Sequence, residues 1–140
     1  MKLTILQGIP GSGKSFKTRQ LLKLSDNSII VCKDDIRNML GGYWIPKREA
    51  LVSSIESNLI LAGIANSYNV IVDAPNLYPK TIKKFTEMAK KANVDIEFIP
   101  IKIMPIRAYF RILWRTLKGG RYVSYSVVKS YYNRYKLIQL

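Results

Sequence analysis

Apolar and polar positions along this chain fall into two alternating patterns. Four short apolar runs, residues 3–7, 28–32, 70–73 and 96–101, have the length and near-continuous hydrophobicity of strands buried on both faces of a parallel sheet. Between them, apolar residues recur at helical spacing. Residues 14–24 offer Phe16, Leu21, Leu22 and Leu24 for a core face, and residues 47–68 offer Leu51, Ile55 and Leu59 with Ala62 or Ile64. A third helix opens at Pro79, a favoured first helical position, and turns Ile82, Phe85, Met88 and Ala89 inward. A fourth opens at Pro105, with Ile106, Phe110, Leu113 and Leu117 at helical spacing, and stops at Gly119-Gly120. A last helix, from about Ser126, presents Val127, Tyr131, Tyr135 and Ile138. The order β-α-β-α-β-α-β predicts a doubly wound α/β domain with right-handed crossovers and helices on both faces of a sheet of about four strands. No linker, repeat or low-complexity tract divides the chain, so residues 1–140 read as a single domain.

Ligands in open α/β sheets collect at the carboxyl ends of the strands, and polar residues follow three of these strands directly. The first strand leads into Gly8-Ile9-Pro10-Gly11-Ser12-Gly13-Lys14-Ser15, which fits the phosphate-loop pattern G-x-x-x-x-G-K-[ST] without a mismatch. A strand before it and a helix after it supply the context that the motif requires. Glycines at Gly8, Gly11 and Gly13 let successive N–H groups converge on a phosphate, with the positive end of a helix dipole behind them. Lys14 is placed to reach the β- and γ-phosphates, and the Ser15 hydroxyl to ligate Mg²⁺. ATP and Mg²⁺ are the implied cofactors.

The second strand leads into Lys33-Asp34-Asp35-Ile36-Arg37. A hydroxyl that attacks a γ-phosphate needs a carboxylate to orient it and take its proton. Adjacent strand-end residues point to opposite faces, so one of Asp34 and Asp35 enters the site and the other belongs to the surface or caps a helix. Arg37 either pairs with an acid or contacts a substrate phosphate. Asp73 ends the apolar Val70-Ile71-Val72 and is placed to hold Mg²⁺, directly or through water, or to polarise a group in the site. The stretch Asp73-Ala74-Pro75-Asn76 also reads as a turn, in which Asn76 either shapes the backbone or reaches substrate. Tyr43 and Trp44, beside Gly41-Gly42, either stack a base, pack in the core or anchor a loop, and are not counted among the site residues.

Composition narrows the chemistry. With 48% hydrophobic and 23% charged residues the chain is an ordinary globular mix. It has no histidine, so any general base is a carboxylate and no histidine triad or histidine metal site is possible. Its single cysteine, Cys32, excludes an internal disulfide and a cysteine zinc site, and reads as a buried small hydrophobe. The N-terminal apolar run is too short for a secretory segment and no apolar stretch approaches membrane-spanning length, which sets the expectation of a cytoplasmic protein without a membrane contact.

Net charge is +14, from 23 Lys plus Arg against 9 Asp plus Glu. No acidic residue follows Glu97, whereas Lys102, Arg107, Arg111, Arg115, Lys118, Arg121, Lys129, Arg134 and Lys136 do. A polyanion, nucleic acid above all, is the partner this balance suits; the plainer alternative is a solvated basic face. Arg111 and Arg115 are one helical turn apart, and Arg121 lies just past the glycine pair. Residues 107–125 therefore suit a helical lid that closes over transferring phosphates and neutralises developing charge.

The ordered blocks Gly8–Ser15, Lys33-Asp34-Asp35-Ile36-Arg37, Val72-Asp73-Ala74-Pro75-Asn76-Leu77-Tyr78-Pro79, the arginine segment and the closing Ser130-Tyr131-Tyr132 helix resemble the 5′-kinase domain of phage polynucleotide kinase and the related small P-loop kinases. That family carries a similar strand-ending Arg-Asp-Asp-Tyr-Arg. The resemblance implies the three-layer P-loop kinase fold with a C-terminal helical lid. It implies Asp34 as the base for a 5′-hydroxyl, Arg37 as a contact to the first substrate phosphate and Asp73 as an active-site acid. Two lid arginines four residues apart match Arg111 and Arg115, with Arg121 a rival for Arg115. Pro75 departs from the family as a one-residue insertion before Asn76. The chain has no D-x-D motif, so a 3′-phosphatase activity is not expected.

The expected function is transfer of the ATP γ-phosphate to the 5′-hydroxyl of DNA or RNA. Two rivals share the phosphate loop: a kinase of a nucleoside or nucleotide, and a nucleic-acid-binding module switched by nucleotide without catalysis.

Overall fold

The structure is a computed structural model that describes residues 1–138; the last two residues of the expected domain lie outside the described residues. Four parallel strands form one sheet in the order β2-β3-β1-β4, where β1 is Lys2–Gln7, β2 Ser28–Cys32, β3 Asn69–Asp73 and β4 Asp95–Pro100. Helix α1 (Lys14–Leu24) joins β1 to β2, the short α2 (Lys33–Met39) and then α3 (Glu49–Ala65) lead to β3, and α4 (Pro79–Ala92) leads to β4. After β4 the chain forms α5 (Pro105–Leu117) and α6 (Tyr125–Ile138). The predicted four-stranded α/β architecture and the closing helices are all present.

Strand register fixes the site. Cys32 lies beside Asp73, and Ile5 lies beside both Val72 and Phe98. The carboxyl ends of β1, β2 and β3 are therefore level, and the segments that leave them converge on one rim. Alternate strand residues, Leu3, Ile5, Val31, Val70 and Val72, pack with Val52, Ile60 and Ile64 of α3 and Phe85 and Ala89 of α4. Helix α1 packs on β2 and β3. A second apolar cluster, Ile9, Leu77, Ala108, Ile112, Val123, Val128 and Tyr135, joins α5 and α6 to the phosphate loop and the β3 turn.

Several predicted helix faces are rotated. In α3 the buried stripe is Val52, Glu56, Ile60, Gly63 and Ile64, while Leu51, Leu59 and Ala62 face outward and Ile55 is half-buried. This helix is apolar on most sides, so spacing alone does not select a face. Gly63 selects it: a Cβ there would stand 2.6 Å from Ile29 Cδ1 and 2.9 Å from Val70 Cγ2, so this side of the helix is the one that can approach the sheet. In α5, Pro105, Ala108 and Ile112 are buried, Leu113 is half-buried, and Ile106, Phe110 and Leu117 are exposed. In α1 only Thr18 is buried, Leu21 and Leu22 are half-buried, and Phe16 and Leu24 are exposed, because the phosphate loop dictates how the first turn is set. In α6, Val128 rather than Val127 is buried, with Tyr135 beside it as expected. Helix α4 matches its predicted face, with Phe85 and Ala89 buried and Ile82 and Met88 half-buried. Among the described residues, no helix is long and apolar enough to cross a membrane.

The rotated stripe has a direct test. Truncating the fully buried Phe85 to Ala is expected to cost about 3–5 kcal/mol in urea unfolding, whereas Leu59→Ala, on the outward face, is expected to cost less than about 1 kcal/mol.

Candidate active site

The phosphate loop closes at the end of β1, with Gly11 at φ 78° and Gly13 at φ 97°. Both lie in the left-handed region that glycine adopts without penalty. Gly11 has a second reason to lack a side chain: a Cβ there would sit 2.5 Å from the Ala108 carbonyl oxygen. The Lys14 ammonium lies inside the loop and donates to the Gly8 and Ile9 carbonyls at 3.1 and 2.9 Å. Burial lowers its pKa to about 8 despite the opposing pull of Asp73 and Asp34. The buried Ser12 hydroxyl has no partner in the protein. A buried ammonium held only by carbonyls and an orphaned hydroxyl in the same cradle fit an anionic phosphate.

Asp73 ends β3 beneath this loop and accepts a hydrogen bond from the Ser15 hydroxyl at 3.2 Å. Burial raises its carboxyl above the ordinary range, against the opposing effects of Lys14 and Ser15. Ser15 and Asp73 together offer a hard-oxygen corner beside the phosphate cradle. A magnesium ion there would draw its remaining ligands from phosphate oxygens and water, its usual arrangement with nucleotides. Asn76 lines the same cleft, at φ 53°, but its amide donates to Leu6 and Ala74 carbonyls at 2.7 and 3.0 Å. Its visible work is to tie the β3 turn to β1.

Asp34 lies in the first turn of an unforeseen short helix, α2 (Lys33–Met39), rather than on an extended strand end. Helical geometry separates the two acids: Asp34 lines the cleft, while Asp35 is exposed and does not. Asp34 Oδ1 accepts from Arg37 Nη1 at 2.9 Å and from the Tyr43 hydroxyl at 3.0 Å. Arg37 is also clamped by Glu49, which accepts from Nη2 at 2.7 Å and Nε at 3.1 Å. This fork holds Glu49 below the usual carboxylate range and Arg37 above its own. Glu49 and Tyr43 are partners of Arg37 and Asp34 that the sequence does not reveal. Glu49 carries no motif signal, and the sequence leaves Tyr43 open among base stacking, core packing and a loop anchor. Burial and the nearby Asp34 raise the Tyr43 hydroxyl to about 12, so it remains a proton donor to that carboxylate. Cys32 is half-buried and lines the cleft instead of the core, its thiol pushed up to about 11 by burial.

The arginines form the opposite wall. Arg111 Nη1 donates to the Ser12 carbonyl at 3.4 Å, which brings its guanidinium against the phosphate loop. Arg115 reaches the Arg121 carbonyl at 3.5 Å, and the Arg121 guanidinium stacks 3.8 Å from the centre of the Tyr43 ring. The sequence-derived residues Pro10, Gly11, Ser12, Gly13, Lys14, Ser15, Asp34, Arg37, Asp73, Asn76, Arg111, Arg115 and Arg121 all line one cleft of about 890 Å³. Gly8 lies behind it, its N–H donating to the Pro75 carbonyl at 3.2 Å. Carboxylates on one wall, an ammonium in the floor and arginines on the other can deprotonate a hydroxyl and stabilise a phosphoryl group in transfer.

The Lys14 ammonium gives this site a pH signature. A bound phosphate favours its charged form, so nucleotide binding above pH 8 must take up a proton. Nucleotide affinity is therefore expected to fall as pH rises through about 8, approaching tenfold per unit above it; calorimetric titration in buffers of different ionisation enthalpy measures both effects.

Comparison with known proteins agrees with this geometry. The chain is 28% identical over 138 residues to the L-seryl-tRNA(Sec) kinase of Methanococcus maripaludis, covering 95% of this chain and 52% of that protein. It therefore spans about half the length of that curated relative. A chain of the Pnkp1/Rnl/Hen1 RNA repair complex superposes with a TM-score of 0.91 at 26% identity, over 99% of this chain and 45% of that one. The gluconokinase of Sinorhizobium meliloti 1021, at 16% identity and TM-score 0.65 over 95% of this chain and 74% of its own, shares the fold. The family model described as an AAA domain matches residues 3–137, and this chain belongs to that family, with the P-loop kinase fold.

Proposed function

We propose that this chain is an ATP- and Mg²⁺-dependent polynucleotide kinase that phosphorylates the 5′-hydroxyl of DNA or RNA. One observation carries the reading: a single cleft joins Lys14, Ser15 and Asp73 to Asp34 on one side and to Arg111, Arg115 and Arg121 on the other. ATP supplies the γ-phosphoryl group, and Mg²⁺ would sit at Ser15 and Asp73. The loop amides and Lys14 hold the phosphates. Asp34 takes the proton of the attacking 5′-hydroxyl as its oxygen bonds to the γ-phosphorus and the bond to the β-phosphate oxygen breaks. Arg111 and Arg115 neutralise the charge that develops. Arg37, fixed by Glu49, holds Asp34 in place and presents positive charge to the phosphate next to the 5′ end.

Charge and likeness support a polynucleotide acceptor. The run after Glu97 carries nine basic and no acidic residues, more than a small substrate requires. The likeness to a chain of an RNA repair complex extends over nearly all of this chain. A kinase of a small molecule would share every catalytic part and is the second reading.

Replacing Asp34 by Asn is expected to lower transfer to a 5′-hydroxyl oligonucleotide by about 10²–10⁴-fold, the range typical of a lost general base, with nucleotide affinity changed little. End-labelling from γ-labelled ATP together with nucleotide titration measures both. Activity in the variant within a few-fold of the unaltered protein would exclude Asp34 as the base. For a polynucleotide acceptor, KM should rise steeply with salt.

A further inference from the structure

The core-facing stripe of α3 contains one residue that does not belong in a core. Between Val52 and Ile60 stands Glu56, whose side chain is 3% exposed. Its Oε1 has a single long contact, 3.4 Å from Lys84 Nζ, and its Oε2 has no partner. Lys84 is 36% exposed and half turned to water. A buried carboxylate oxygen without a donor costs free energy and persists where something else supplies the donor. Glu56 lines the cleft that holds Lys14, Asp34 and Asp73, and so do Ser53, one turn earlier on the same helix, and Thr81 of α4.

We infer that Glu56, with Ser53 and Thr81, forms a recognition subsite for an O–H or N–H donor on the acceptor molecule, beside the hydroxyl that receives the phosphate. The inference rests on the kinase reading of the cleft. Glu56 brings an unpaired acceptor oxygen and no donor to this position, so the subsite suits a neutral hydrogen-bond donor on the acceptor molecule. Two groups of a nucleotide supply that chemistry: a sugar hydroxyl and a base amino group. A site built around an acceptor oxygen rejects ligands that leave it unpaired, which makes Glu56 a specificity determinant rather than a participant in phosphoryl transfer.

The test is a set of matched acceptors, each provided as a 5′-hydroxyl oligonucleotide and as a mononucleoside. One pair differs only in the 2′-hydroxyl of the terminal sugar, and the other only in the exocyclic amino group of the terminal base. The unaltered protein is expected to favour the donor-bearing member of at least one pair by about tenfold or more in kcat/KM. The favoured pair identifies the source of the donor. Glu56→Leu, which removes both acceptor oxygens at similar volume, should bring that ratio to within about twofold. Glu56→Asp, which keeps the charge but withdraws it by one methylene, should do the same and serves if the first variant does not fold. No preference in the unaltered protein, or a preference that both variants retain, would overturn the inference. Phosphorylation of the nucleosides with none of the oligonucleotides would instead overturn the polynucleotide reading, and the Glu56 ratio would be read on the nucleosides.

Discussion

The contact between Gly11 and the backbone of α5 governs much of this molecule. The Ala108 carbonyl lies where a side chain on Gly11 would begin, so helix and loop meet without an intervening side chain. That approach demands a small residue at Ala108 and turns Ala108 and Ile112 inward. Helical geometry then fixes Arg111 against the loop and places Arg115 one turn further along. The same contact closes the second apolar cluster, through which α6 and Val123 join the β3 turn. Phosphate loop and arginine wall are thus one packing unit. Level strand ends do the corresponding work on the other side, bringing Asp34 and Asp73 to the same rim.

Electrostatics in the cleft depends on how each charge is held. Lys14 has only carbonyl partners and a pKa lowered by burial, so its favourable partner is a phosphate. Arg37 has the opposite arrangement: Glu49 grips it in a two-point fork, and its Nη1 donates to Asp34 and orients it. A fixed arginine of this kind positions a base without giving up its own charge. Tyr43 connects the walls, with its hydroxyl on Asp34 and its ring beneath Arg121. The aromatic loop therefore bridges the acid side and the arginine side.

The strands, the phosphate loop and the strand-end acids were legible in the sequence because each depends on local chemistry. Strand β2 matched its prediction at both ends, and α4 opened at Pro79 as expected. The faces of α3 and α5 were not legible, because both helices carry apolar residues on more than one side. The choice between faces is made by close approaches at Gly63 and Gly11 to residues distant in sequence. Asp34 reaches the cleft from the first turn of a helix that the charged run concealed, not from an extended strand end. Glu49, twelve residues from Arg37, and Glu56, inside an apolar stripe, carry no motif; only their partners, or the lack of one, mark them.

The most direct test of the polynucleotide reading places a 5′-hydroxyl oligonucleotide and a mononucleoside in one reaction with γ-labelled ATP, Mg²⁺ and this chain. Label appearing mainly on the 5′ end of the oligonucleotide, with that share shrinking as salt rises, is the expected result. Label confined to the nucleoside would contradict it, leaving a phosphate-transfer site whose basic surface serves another purpose.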